Sequence, residues 1–164
     1  MVAIERGNIG DVDAVTDMWV DLAEGQREFG SHLFADGNRA TVREAIARNA
    51  VGDGLLVARE KREDDRTEIV GFVTFGVESD GYDQDVTRGV VRNIYVEPDR
   101  RGDGIGSALL DAAETRLAER GADAVSLDVM ADNEDARRFY RRHGYAPHRV
   151  ELEKSVESDT LTKE

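Results

Sequence analysis

One stretch narrows the fold more than any other: RGVVRNIYVEPDRRGDGIGSALLDAAETRLAERGADAVSLDVM, from Arg88 to Met130. It opens as a long apolar strand stopped by Pro98. A loop follows with glycines at every second position, Gly102, Gly104 and Gly106. From about Gly104 to Glu119 the apolar residues Ile105, Ala108, Leu109, Ala112 and Leu117 recur at helical spacing, and Gly121 ends the run. AVSLDVM then reads as a second strand. A strand, a glycine loop, a helix and a strand in succession require a mixed α/β fold.

The rest of the chain fits that class. VAIERG alternates as a strand, and DVDAVTDMWVDLAEG carries Val12, Val15, Trp19 and Leu22 at helical spacing behind Asp11 as a helix cap. RATVREAIARNA is a second helix. GLLVAREK and EIVGFVTFGVE are strands separated by the charged turn REDDR. SDGYDQD is a polar turn. EDARRFYRRH is a short helix between Asn133 as cap and Gly144 as stop, and YAPHRVELEKSV supplies one or two closing strands. Residues 1–156 are expected to form one domain, with 157–164 a flexible tail.

Charge narrows the partners. Acids outnumber bases 35 to 22, a formal net charge of −13, and the lysines are Lys61, Lys154 and Lys163. So acidic a surface argues against a nucleic-acid partner and fits a halophilic host, whose salt would screen the self-repulsion. With no cysteine, disulfides, thiolate catalysis and Cys-ligated metals are excluded. His32, His143 and His148 show no metal-ligand spacing, so no metal is expected. The absence of a signal peptide pattern or an apolar run of about 18 residues points to a cytoplasmic protein with no membrane partner.

The glycine loop is the candidate anion site. A phosphate loop of the GxxxxGK[ST] type needs a lysine that is missing here. The dinucleotide fingerprint needs GxGxxG directly after a strand, whereas this spacing is GxGxG, with Pro98, Asp99, Arg100 and Arg101 intervening. The tripeptide Arg101-Gly102-Asp103 matches a cell-adhesion signal by chance. Alternating glycines ahead of a helix suit backbone N–H groups turned around an anion.

RRGDGIGSALL resembles the pyrophosphate loop of the GNAT family of N-acetyltransferases, whose pattern Gln/Arg-x-x-Gly-x-Gly/Ala falls on Arg101, Gly104 and Gly106. VVRNIYVEP precedes it as the family's fourth strand does. LDVMADNEDARRFYRRHGY is similar to the family's C-terminal motif, with Tyr140 seven residues after Asn133 and then Gly144-Tyr145. The resemblance spans Val90 to Tyr145, about a third of the chain. It implies a mixed, mostly antiparallel twisted sheet of about 6–7 strands flanked by about four helices. A cofactor cleft would lie between the fourth and fifth strands.

It also implies a reaction: transfer of an acetyl group from acetyl-CoA, used as co-substrate, to a primary amine by direct attack. The pyrophosphate would be held by backbone from Gly102, Asp103, Gly104, Ile105, Gly106 and Ser107, beside Arg101. The pantetheine arm would run along Ile94, Tyr95 and Val96, with the Ile94 N–H polarising the thioester carbonyl. Asn133, Arg137 and Tyr140 share a helical face. Asn133 matches a pantetheine contact, and Tyr140 matches the general acid that protonates the leaving thiolate. Asp128 matches a position where some members carry a glutamate base, and Glu97 is its rival. The acceptor would meet residues 26–38, with Phe29, His32 and Phe34, and the turn at Tyr82. A peptide α-amine is favoured over a polyamine, an aminoglycoside or an amino acid. A non-catalytic CoA-binding regulatory module is the alternative class. Family members are often homodimers.

Overall fold

The computed structural model describes residues 1–79 and 81–157. Asp80, within the SDGYDQD turn, and 158–164, the body of the expected tail, lie outside the described residues. In chain order the elements are β1 (Val2–Arg6), α1 (Val12–Arg27), α2 (Arg39–Val51), β2 (Leu55–Lys61), β3 (Thr67–Val77), β4 (Arg88–Val96), α3 (Ile105–Glu119), β5 (Ala124–Ser126) and α4 (Glu134–Arg142). The strands form one sheet in sequence order. β1 to β4 pair antiparallel, and β5 joins β4 in parallel.

Alternation along each strand divides the core in two. Leu55 and Val57 of β2, Phe72 of β3 and Tyr95 of β4 face α1 and α2, where Val12, Val15, Trp19 and Ile46 complete one apolar cluster. Leu56, Ala58, Val73 and Val91 face the other way, against Ile105, Leu109, Leu110 and Leu117 of α3. The helix that follows the glycine loop is thus fixed by its buried stripe. Polar side chains that enter these layers are paired. The Trp19 indole donates to Asn93 Oδ1 at 3.2 Å, and the Asn93 amide donates to Thr74 at 2.9 Å. Asp11 does not cap α1 through its side chain. Its carboxylate instead accepts from the Asn8 N–H at 2.9 Å and from Arg59 at 2.5 Å.

The sheet has five strands among the described residues, not the expected six or seven. The AVSLDVM segment contributes only Ala124–Ser126, and residues 145–157 form no strand. β4 and β5 pair only over Arg88–Val90, so residues 127–130 have no ladder to continue. Val150, Leu152 and Val156, which set the alternating pattern of the closing segment, are 74 to 90% exposed. Without a neighbouring strand or a covering layer, period-two alternation does not make a strand.

Candidate functional site

The divergence of β4 from β5 opens the site. Beyond Val90 the β5 side of β4 has no ladder partner among the described residues, so the main-chain groups of Val91 to Val96 on that side have no strand to pair with. A bulge interrupts β4 on its other side. Thr74 pairs with Asn93 and Phe75 with Val91, so Arg92 stands without a partner on β3. Ile94 and Val96 pack toward α3, while Asn93 and Tyr95 lie on the α1 side.

At its far end β4 runs through a short turn, Pro98–Arg100, into the glycine loop. Gly102 and Gly104 have φ of +87° and +84°, a left-handed backbone that other residues adopt only at a cost. Gly106 has no such need. A methyl group there would meet Phe139 of α4 at 3.5 Å, an ordinary contact. Gly104 is the N-cap of α3 and supplies no capping side chain. The first N–H groups of α3 are therefore left for an outside acceptor, with the helix dipole behind them.

Several side chains around the loop are paired within the chain. The Arg101 Nε–H donates to the Val96 carbonyl at 2.9 Å, and its guanidinium lies 5.3 Å from the Tyr95 ring centroid. Arg137 donates to the Ala131 carbonyl at 3.0 Å and is 3.6 Å from Glu134. Arg138 is paired with Asp135. Ser107 Oγ lies 2.9 Å from His143 Nε2, and His143 Nδ1 lies 3.8 Å from Asp111. His143 follows the last turn of α4, as its place before Gly144 suggested, but its ring reaches the first turn of α3.

α4 is capped by Asn133, whose Oδ1 accepts from the Ala136 N–H at 3.2 Å. Its carbonyl oxygen is therefore committed to capping, and its amide remains for a ligand. Tyr140 is largely withdrawn from water, and burial pushes its hydroxyl up to about 12. That hydroxyl makes no hydrogen bond among the described residues. The ring is wedged edge-on between Phe139 and Tyr145, at 5.3 and 5.9 Å. The Tyr145 hydroxyl donates to Glu114 of α3 at 2.6 Å, and a surface cavity of about 280 Å³ opens beside Glu114, His143 and Tyr145. Burial, reinforced by Glu114, raises the Tyr145 hydroxyl as well. Sequence reasoning missed Asp111 and Glu114. Their spacing of four and seven residues after Ser107 on α3 was the available signal.

The two candidate bases differ. Glu97, at the end of β4, is partly buried. Burial raises its carboxyl above the ordinary range, and Asp99 and Asp21 add to the shift against the pull of Arg101. Asp128 is exposed, beyond the end of β5. On the expected acceptor side, Phe34 and Tyr82 are exposed, and His32 meets Glu153 of the closing segment at 2.7 Å. No three His, Asp or Glu side chains gather as metal ligands among the described residues.

Known proteins resemble this chain in sequence and fold. The sequence pattern of the acetyltransferase (GNAT) family matches residues 16–145. A mycothiol acetyltransferase of Propionibacterium freudenreichii is 39% identical over 94 residues, which are 57% of this chain and 28% of that protein. The chain thus spans well under a third of that curated relative's length. A crystallised mutant of a Bacillus halodurans protein superposes with a TM-score of 0.78 at 18% identity, covering 94% of this chain and 99% of that one. The PaiA N-acetyltransferase of Thermoplasma acidophilum, solved with coenzyme A, gives 0.73 at 16% identity, covering 92% and 93%. At such identities the likeness is one of fold.

Proposed function

The chain belongs to the GNAT family of acetyltransferases, and from that premise we propose that it moves the acetyl group of acetyl-CoA to a primary amine by direct attack in a ternary complex. The observation that carries this reading is the uncapped start of α3 behind two left-handed glycines, at the end of the open edge of β4. A diphosphate suits the first part and a strand-like amide arm suits the second.

Gly102 to Ser107 would hold the pyrophosphate through main-chain N–H groups, with Asn133 and the β4 edge at Ile94, Tyr95 and Val96 holding the pantetheine arm. When bound, acetyl-CoA supplies the activated acyl group. The Ile94 N–H polarises the acyl carbonyl. Tyr140, protonated throughout the physiological range because burial raises its pKa, donates its proton to the leaving sulfur. Its free hydroxyl supports that role, since no protein acceptor competes for the proton.

The amine must arrive neutral. Glu97 is the favoured base, a carboxyl whose proton affinity is raised by burial and by neighbouring acids. Asp128 is the alternative, acting through water. The acceptor proposed is a peptide α-amine, ahead of a polyamine, an aminoglycoside or an amino acid. The test is thiol release from acetyl-CoA across a panel of these amines in molar salt. Turnover on one class supports the reading and names the acceptor. CoA binding without turnover on any amine turns it to a regulatory module.

A further inference from the structure

Glu60 is a carboxylate that the proposed chemistry does not use, and its side chain is only 8% exposed. It lies two residues past Ala58 on β2, on the face that packs against α3. A lone charge there would be costly. Each of its oxygens meets a different arginine. Oε1 lies 3.4 Å from Arg62 of the β2–β3 hairpin, and Oε2 accepts from Arg100. Arg100 closes the short turn that leads into the glycine loop, and its Nε is also 3.5 Å from the Asp103 carboxylate inside that loop.

We propose that Glu60 is a positioning residue for the anion site, acting through Arg100. The buried carboxylate fixes the guanidinium from below. Anchored on Glu60, Arg100 holds the entry to Gly102 and Gly104 in the pose that presents backbone N–H groups, and its guanidinium also offsets the charge of the weakly held Asp103 carboxylate. Arg100 is thus a strut and not a phosphate ligand, and an acid inside an anion loop is neutralised from within the chain. The inference rests on the acetyltransferase reading of the loop, and it adds a determinant two strands away from β4 for the phosphate-bearing half of the cofactor.

The distinguishing readout compares two ligands. CoA carries the pyrophosphate, and pantetheine carries only the arm that lies along β4. Dissociation constants are measured by NMR titration of the full chain for both, with melting temperatures alongside. Glu60→Gln should weaken CoA about tenfold, the loss of one charged hydrogen-bond link, and leave pantetheine within about twofold. Arg100→Gln, at a surface turn, should do the same, and keeps the test alive if Glu60→Gln does not fold. The double variant should lose no more than either single variant, as expected for residues acting as one unit. Equal weakening of both ligands would make Glu60 a general fold element and overturn the proposal. So would unchanged CoA affinity in folded Arg100→Gln. A wild-type chain that binds no CoA would overturn the acetyltransferase reading itself, and this inference with it.

Discussion

The two sides of the proposed reaction are built from different material. Around Gly102 to Ser107 the site is main chain, shaped by two positive φ angles and the uncapped start of a helix whose other side is buried. On the acceptor side the candidates are side chains, exposed at His32, Phe34 and Tyr82 and half-buried at Phe29, and one link there, His32 to Glu153, joins residues 121 positions apart. A site made of main chain tolerates almost any surface charge, because its donors are amides that no substitution short of proline removes. That is how a chain of net charge −13 can offer an anion site at all. A site made of side chains has no such protection and can change its ligand by a few substitutions.

Tyr140 stands between the two and gives the largest expected effect. Tyr140→Phe removes a hydroxyl with no partner among the described residues, so packing beside Phe139 and Tyr145 should survive. Turnover should fall by about 10²–10⁴-fold while the dissociation constant for CoA stays unchanged. Steady-state kinetics with a CoA titration checks both. Unaltered turnover would remove Tyr140 from the mechanism.

Next in size are the glycines, which test whether conformation rather than space governs the loop. Gly104→Val forces a β-branched residue to φ +84°, at about 1–2 kcal/mol, and should lower the melting temperature and CoA affinity together. Gly106→Ala adds a methyl at ordinary contact distance from Phe139 and should change both much less. Equal losses would show that space above the loop matters as much as its dihedral angles.

The pH profile compares the two acids. Burial and nearby carboxylates raise the Glu97 pKa, so a base at this position is still protonated where an ordinary glutamate has ionised. Activity should then climb as pH rises through a limb displaced above the usual glutamate range. Glu97→Gln should abolish that limb and Asp128→Asn should leave it. The reverse result would move the base to Asp128, beyond the end of β5. The stability sign is opposite: a folded-state pKa above the unfolded one favours the fold at low pH, and that contribution fades as pH rises through the raised value.

The same contrast governs what could be read from the sequence. Gly102 and Gly104 are legible because left-handed backbone demands glycine. The helix from Ile105 to Glu119 is legible because a buried stripe demands period 3.6. The open edge of β4 is not legible in the same way: Arg92 becomes a bulge only through its partners on β3. The missing closing strands make the converse point. Val150, Leu152 and Val156 alternate as a strand should, yet pairing depends on a neighbour that residues 127–130 do not provide. Glu60 lies further still from legibility, since a glutamate at the end of a strand usually faces water, whereas here it is buried between two arginines distant from each other in sequence.

The smallest effect concerns Asp103, the acid within the loop. Its carboxylate is 58% exposed and 3.5 Å from Arg100. A charge so placed is partly cancelled by its neighbour and partly screened by solvent. Asp103→Asn should therefore tighten CoA by about two- to threefold at low ionic strength, and by almost nothing in molar KCl, where the Debye length is near 3 Å. Titrations at the two salt concentrations separate the cases. A large gain at both would mean that the side chain, not the amides, sets affinity at this end, and the contrast between the two sides of the site would disappear.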